Sequence, residues 1–199
     1  MGFSTLLDIM GSILIGGILL TTTWRLSDAA TEKTYNGSGE LSLQQNLVAT
    51  AQILENDFRK IGFCENWNKI PDPTKAILSA DLSSLKFLTD VDSDGDVDSI
   101  TYYLGPTSEL YMTPNPRDRM LYRVVNNEAP GGSNLGVTQF FMIYYDALGD
   151  TIPLPITITG EITSIEINVT VENVAAYDTS YSSAYWKQIR MVARNLKNR

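Results

Sequence analysis

Hydrophobic and polar positions change their spacing three times along this chain, and each spacing predicts a different element. From Phe3 to Trp24 (FSTLLDIMGSILIGGILLTTTW) the apolar residues leave no polar face. The run holds one ionisable side chain, Asp8, and its centre, IMGSILIGGILL, holds none. As helix its 22 residues reach about 33 Å, close to the hydrocarbon thickness of a bilayer. Leu, Ile and Met favour that helix, whereas Gly11, Gly16 and Gly17 weaken it and admit close approach of a second helix. The chain turns polar from Arg25 to Glu40, and Asn36-Gly37-Ser38-Gly39 predicts that the helix stops or unravels between Tyr35 and Gly39. Beyond Glu40, Leu47, Ala51, Leu54, Phe58 and Ile61 recur at intervals of four, three, four and three, which is one face of a second helix closed by Gly62. That face is expected to pack on the domain that follows.

After Gly62 the pattern shifts to turns and short alternating runs. Strands are expected at Leu85–Thr89, Ser99–Leu104, Arg119–Val125, Val137–Asp146, Ile156–Thr159, Thr163–Glu172 and Trp186–Arg194. Ile165, Ile167, Val169 and Val171 alternate with polar residues, which predicts a half-buried strand. Val137–Tyr145 is apolar on both faces and reads as a central strand, while Tyr111–Arg117 and Asn126–Asn134 read as loops. The fold class is therefore α+β: a long N-terminal helix, broken near 35–39, leading into an antiparallel sheet. Three segments follow from this: an apolar stem with its breaker at 1–39, an amphipathic helix at 40–62 and a β-rich head at 63–199.

Composition narrows the function classes. At 199 residues the chain has room for the stem and one core-forming domain. Fifteen basic against 23 acidic side chains, a net charge of −8, argue against nucleic acid as a partner. Five of those basic residues (Lys187, Arg190, Arg194, Lys197, Arg199) lie in the last 13 positions with no acidic residue among them, a basic end to an acidic chain. A single cysteine, Cys64, excludes an intrachain disulfide and reads as a small buried hydrophobe. The absence of histidine removes most zinc sites and every His-based triad, so no enzymatic role is expected.

The apolar run has three possible destinations: a membrane, a signal-peptide route or the core of an assembly. A signal peptide should begin with Lys or Arg, and the first basic residue is Arg25. In a membrane, Asp8 would cost about 2.5–3.5 kcal/mol near a helix centre, a cost that falls at the interface or beside a neighbour's α-amino group.

One constellation carries recognisable chemistry. Asp90, Asp92, Asp94, Asp96 and Asp98 alternate through DVDSDGDVD, with Asp90, Asp92 and Asp94 at positions 1, 3 and 5 of a calcium loop, Gly95 at the tight-turn position and Asp98 at position 9. Thr101 stands where such a loop carries its bidentate Glu, and the flanks read as strands. A solvated hairpin turn remains the alternative to a Ca2+ site. Weaker candidates are the Asn36-Gly37-Ser38 and Asn168-Val169-Thr170 glycosylation patterns, a surface of Tyr177, Tyr181, Tyr185 and Trp186, and the carboxylates Glu55 and Asp57, which point apart on their helix.

FSTLLDIMGSILIGGILL, the amphipathic continuation QNLVATAQILENDFRKIG, the Asp-rich turn opening onto DSITYYL, the run QFFMIYYDALGD and the closing WKQIRMVARNL occur in an order that resembles the type IV pilins and pseudopilins, in particular their larger minor members. The resemblance covers most of the chain. Two features depart from the family: its acidic residue is the fifth of the mature chain, whereas Asp8 is sixth counted from Phe3, and its basic leader peptide is absent beyond Met1-Gly2. The resemblance implies a structural subunit that polymerises with copies of itself through the N-terminal helix, with Phe3, Asp8, Gly11, Gly16 and Gly17 at the assembly contacts. It further implies storage in the inner membrane, a pilus assembly machinery as partner and an extracellular filament as the end state. Two alternatives follow: a minor pseudopilin of a secretion system, or a membrane-anchored calcium-dependent adhesion domain that never polymerises.

Overall fold

A computed structural model describes residues 2–173 and 181–191, with side chains over 5–173 and 181–187. The segment at Tyr177 and the basic residues Arg194, Lys197 and Arg199 lie outside the described residues, as do the side chains of Phe3 and Arg190. The chain divides into two compact units, Met1–Glu40 and Leu41–Arg199.

Helix α1 runs from Gly2 to Arg59 without interruption, so the break expected at Asn36–Gly39 does not occur. Two glycines cost roughly 1 kcal/mol each relative to Ala, but a helix already formed on both sides needs no new nucleus to cross them. Hydroxyls along this stretch bond back to the helix itself: Thr31 to Ser27 O (2.9 Å), Thr34 to Ala30 O (2.8 Å) and Ser38 to Tyr35 O (2.9 Å). The helix stops at Arg59, and Gly62 follows with φ 72°, the left-handed conformation that ends helices at little cost when the residue is Gly.

In the second unit the expected helical face is buried. Leu43, Leu54, Phe58 and Ile61 join one hydrophobic core with residues of both sheets, Leu47 packs at its edge, and Ala51 is buried as well. Phe58 is the hub, with its ring 5.6 Å from that of Phe87 and 5.5 Å from that of Tyr102. Both sheets are antiparallel meanders. The larger orders β1 (Ile77–Ala80), β2 (Ser84–Thr89), β3 (Asp98–Leu104), β4 (Leu121–Val125) and β5 (Gly131–Ser133) side by side. The smaller orders β6 (Val137–Tyr145), β7 (Ser164–Glu172) and β8 (Ser183–Met191). α+β is therefore the fold class.

Four strand expectations change, and β1 lies where no strand was expected. Ile156–Thr159 forms no strand; Pro153 and Pro155 stand just before it, and its last residue is taken into a 3-10 turn at Thr159–Glu161. β6 is an edge strand and β7 the central one, so the strand read as half buried is buried on both faces. Its polar side covers itself, because Ser164, Glu166 and Asn168 lie under Tyr145, Tyr185 and Lys187. β5 falls inside a stretch read as a loop. Its residues, Gly-Gly-Ser, pair with β4 through backbone alone, and a Cβ on Gly132 would stand 2.7 Å from Met120 Cε and Tyr122 Cε1.

Candidate functional site

The first unit presents the most unusual surface. Ten large apolar side chains from Leu6 to Leu20 are each 56–69% exposed, on every side of the helix, and none of the apolar window is buried by the described chain. Such area in water opposes solubility, and contiguous apolar patches of this size mark a membrane or protein contact. The polar groups within it are turned inward: Ser12 donates to Asp8 O (2.7 Å), Thr21 to Gly17 O (3.0 Å) and Thr23 to Leu19 O (2.7 Å). Gly11, Gly16 and Gly17 face open space, with nothing within 4 Å of a Cβ built on each. By length and composition this one helix is apolar enough to cross a membrane or to act as a signal.

The Asp-rich loop joins β2 to β3, and its organiser is Asp90. This carboxylate is fully buried and accepts from Ser93 N (2.7 Å), Gly95 N (3.0 Å) and Glu65 N (3.1 Å), which ties the loop to the chain leaving α1. Ser93 (φ 64°) and Gly95 (φ 84°) take the left-handed conformation that aims those N–H groups inward. Burial opposes ionisation of Asp90, yet the donors together outweigh it and hold the carboxyl below the usual Asp range. Asp98 accepts from Val91 N (3.0 Å) and from Asn126 Nδ2 (2.7 Å). Cys64 is buried beside the loop, its Sγ 3.6 Å from Gly95 O, as befits a small packed side chain.

Three of the five expected ligands come together. Asp90, Asp92 and Asp98 each offer an oxygen within 4.8 Å of the others, the largest separation two ligands at about 2.4 Å from one ion can have. Asp94 and Asp96 are not in that group: Asp94 Oδ1 accepts from Asp96 N (2.7 Å), and Asp96 is ion-paired with Lys69, whose pKa is raised chiefly by that hydrogen bond. Thr101 sits inside β3 opposite Lys86 and Val124, away from the turn. The loop thus supplies three carboxylates of the six to eight oxygens that calcium takes, with water or carbonyls completing the shell.

Two polar constellations escaped the sequence reading. Asp57 turns away from Glu55, as their spacing requires, and its buried Oδ2 accepts from Arg123 Nε (2.6 Å) and Tyr102 OH (2.6 Å). Burial first, and then the charge of Asp57, pushes the Tyr102 hydroxyl far above its ordinary value. The signal was present, since Asp57 stands three residues after Leu54 and four before Ile61, on the buried face. In the smaller sheet Glu166 accepts from Lys187 Nζ (2.8 Å), Tyr145 OH (3.0 Å) and Asn168 Nδ2 (3.1 Å), and Tyr185 OH donates to Asn168 Oδ1 (2.5 Å). Asn168 is therefore closed to a glycan, whereas Asn36 lies on an exposed helical surface. Trp186 packs on the core while Tyr185 occupies the opposite face, and Tyr181 OH donates to Pro114 O (2.6 Å), so these three rings make no common binding surface.

Comparisons with protein-family models, with curated proteins and with solved structures find no match to this chain.

Proposed function

We propose that this chain is a non-enzymatic structural subunit of a type IV pilus-like filament, stored in the inner membrane by its N-terminal helix and assembled through it into an extracellular homopolymer. The observation that carries the reading is the helix of the first unit, apolar on every side and covered by none of the described chain. Lipid covers such a helix, and so does a bundle of identical helices. Transfer from one to the other keeps every apolar side chain out of water, so assembly is governed by packing and by the groups that must be re-paired. The three glycines on open space supply close approach, and Asp8 is the group that needs a partner among neighbouring chains. Delivery into the filament requires an assembly machinery that draws the helix from the membrane. A minor subunit of a secretion pseudopilus uses the same helix in the same way.

A second reading rests on the loop at Asp90, Asp92 and Asp98: a membrane-anchored binding domain whose Ca2+ site shapes its surface and which stays monomeric in the bilayer. Electron microscopy of material sheared from the cell surface, with mass spectrometry of the subunit, separates the two. The pilus reading expects filaments that yield peptides of this chain and a defined N-terminus. Recovery of the chain only from membranes, with filaments free of it, would overturn that reading in favour of the anchored domain.

A further inference from the structure

Asp118 is the one buried charged side chain among the described residues whose carboxylate has no hydrogen-bond partner. It is 1% exposed, and neither Oδ1 nor Oδ2 receives a donor. Its place in the fold gives this weight. The segment from 105 to 120 connects β3 to β4 of the larger sheet, is closed at its base by Gly105 N to Met120 O (2.8 Å), and reaches the smaller sheet through Arg119 N to Val137 O of β6 (2.9 Å). Between them, Asn115 Nδ2 donates to Glu172 Oε2 (3.0 Å) and to Asn173 O (3.3 Å) at the end of β7, and Asn115 Oδ1 accepts from Arg117 N (3.0 Å).

The polar groups around Asp118 are committed elsewhere. Arg117 gives Nη2 (2.7 Å) and Nε (2.9 Å) to Glu172 Oε2 and lies over the Tyr181 ring. The Thr113 hydroxyl is beside Asp118, but its single hydrogen is shared among competing acceptors, since the carbonyls of Leu110 (2.8 Å) and Asn115 (3.1 Å) also lie within bonding distance. An ionised carboxylate there would face the charge of Glu172 with at most a contested hydroxyl as donor. A buried, unmatched carboxylate escapes that cost by taking up a proton.

We infer that Asp118 is a proton-binding site: the folded protein holds it as a neutral carboxylic acid, and loss of that proton loosens the β3–β4 connection where it packs on the smaller sheet. The ionisable groups that face it, Glu172 from β7 and Arg117 from its own segment, act in the same balance. Burial is the main influence raising the Asp118 carboxyl above the usual range; Thr113 opposes it, Glu172 adds to it and Arg117 opposes it. The folded state therefore binds this proton more tightly than the unfolded chain. The stabilisation is complete below the unfolded Asp value of 3.8 and is lost as pH rises through the folded value. Glu172 has the opposite sign, since its carboxyl is held below the usual range by Arg117 and Asn115 against the effect of burial, and its contribution is lost on acidification.

The test uses the full chain in detergent micelles. Carbon-13 NMR of the Asp side-chain carboxyls, assigned through the backbone, should show Asp118 titrating above the ordinary Asp range. In parallel, Asp118→Asn keeps the shape of the neutral acid. Its unfolding constant should match wild type below the unfolded Asp value, fall below wild type by up to about tenfold per pH unit between the unfolded and the folded value, and keep a constant ratio above the folded value. A carboxyl that titrates at or below the ordinary range overturns the inference. So does a difference between the two proteins that is the same at every pH. So does a thermal stabilisation by calcium or sodium that the substitution abolishes, which would make the ligand a metal ion. If the variant does not fold, the wild-type titration decides alone.

Discussion

At the scale of single residues, the second unit depends on how its buried charges are matched. Asp57 is the sharpest case, because one oxygen serves both Arg123 and Tyr102 under the helix. Asp57→Ala strands a guanidinium and a hydroxyl at once. Breaking a buried pair typically costs about 3–5 kcal/mol, and the lower end applies because the Arg123 side chain is 32% exposed. The expected shift in the denaturant midpoint, measured on the full chain in detergent, is largely relieved when Arg123→Met accompanies it. A double variant no more stable than Asp57→Ala would show that Arg123 is indifferent to its partner. In the Asp-rich loop, Asp92 is the ligand whose loss spares the fold, since its only bond in the loop is from Asp94 N at 3.3 Å. If calcium occupies the site, saturation at about 100 times the dissociation constant stabilises the folded state by about 2.7 kcal/mol. Thermal unfolding in calcium and in chelator should then differ for wild type and coincide for Asp92→Asn. Identical wild-type curves in both conditions would remove the metal from the proposal.

At the scale of elements, legibility followed how local the deciding interaction is. The face Leu47–Ile61 and the alternation of Ile165 to Val171 are properties of a few consecutive residues, and the structure places both on the core. Strand order is not local: β6 looks central by its own apolar content, but pairing puts β7 between two partners, and Lys187 and Tyr185 of β8 bury the side of β7 that its polar residues seemed to leave open. β5 offers only the small Ser133 side chain to read, and its existence is a matter of what Tyr122 and Met120 leave room for. At the Asp-rich loop, spacing gave the turn and the carboxylates; which of them converge depended on Lys69 and Glu65, distant in sequence. The continuous helix across Asn36–Gly39 is a contest of propensity against cooperativity, and it yields a measurement. A Cβ on Gly37 meets nothing within 4 Å, so Gly37→Ala should strengthen the helix there by about 1 kcal/mol. Amide exchange over residues 33–41 should slow by roughly fivefold as a result. Unchanged, fast exchange in both proteins would mean that the stretch is unravelled in solution.

At the scale of the whole molecule, the proposed polymer stands on whether the apolar helix is an anchor or an interface. Membrane anchoring asks only for hydrophobicity and length, which any large apolar side chain supplies. Packing among copies asks in addition for small residues where backbones approach. Gly16→Leu separates the two demands. Among the described residues nothing beyond the helix's own local backbone and chain neighbours lies within 4 Å of a Cβ at that position, and Leu is the better helix former by up to about 1 kcal/mol. Insertion into the membrane and folding of the second unit should therefore be unchanged or improved, as judged by membrane fractionation and circular dichroism. If Gly16 faces a neighbouring helix in a filament, the same leucine must be accommodated at every subunit, so even a cost of about 1–3 kcal/mol per contact recurs along the polymer. The expected result is abundant membrane-held subunit with few or no filaments, and partial recovery for Gly16→Ala. Filaments of normal number and length in Gly16→Leu would mean that this face of the helix meets only lipid, leaving the anchored domain as the better account of the chain.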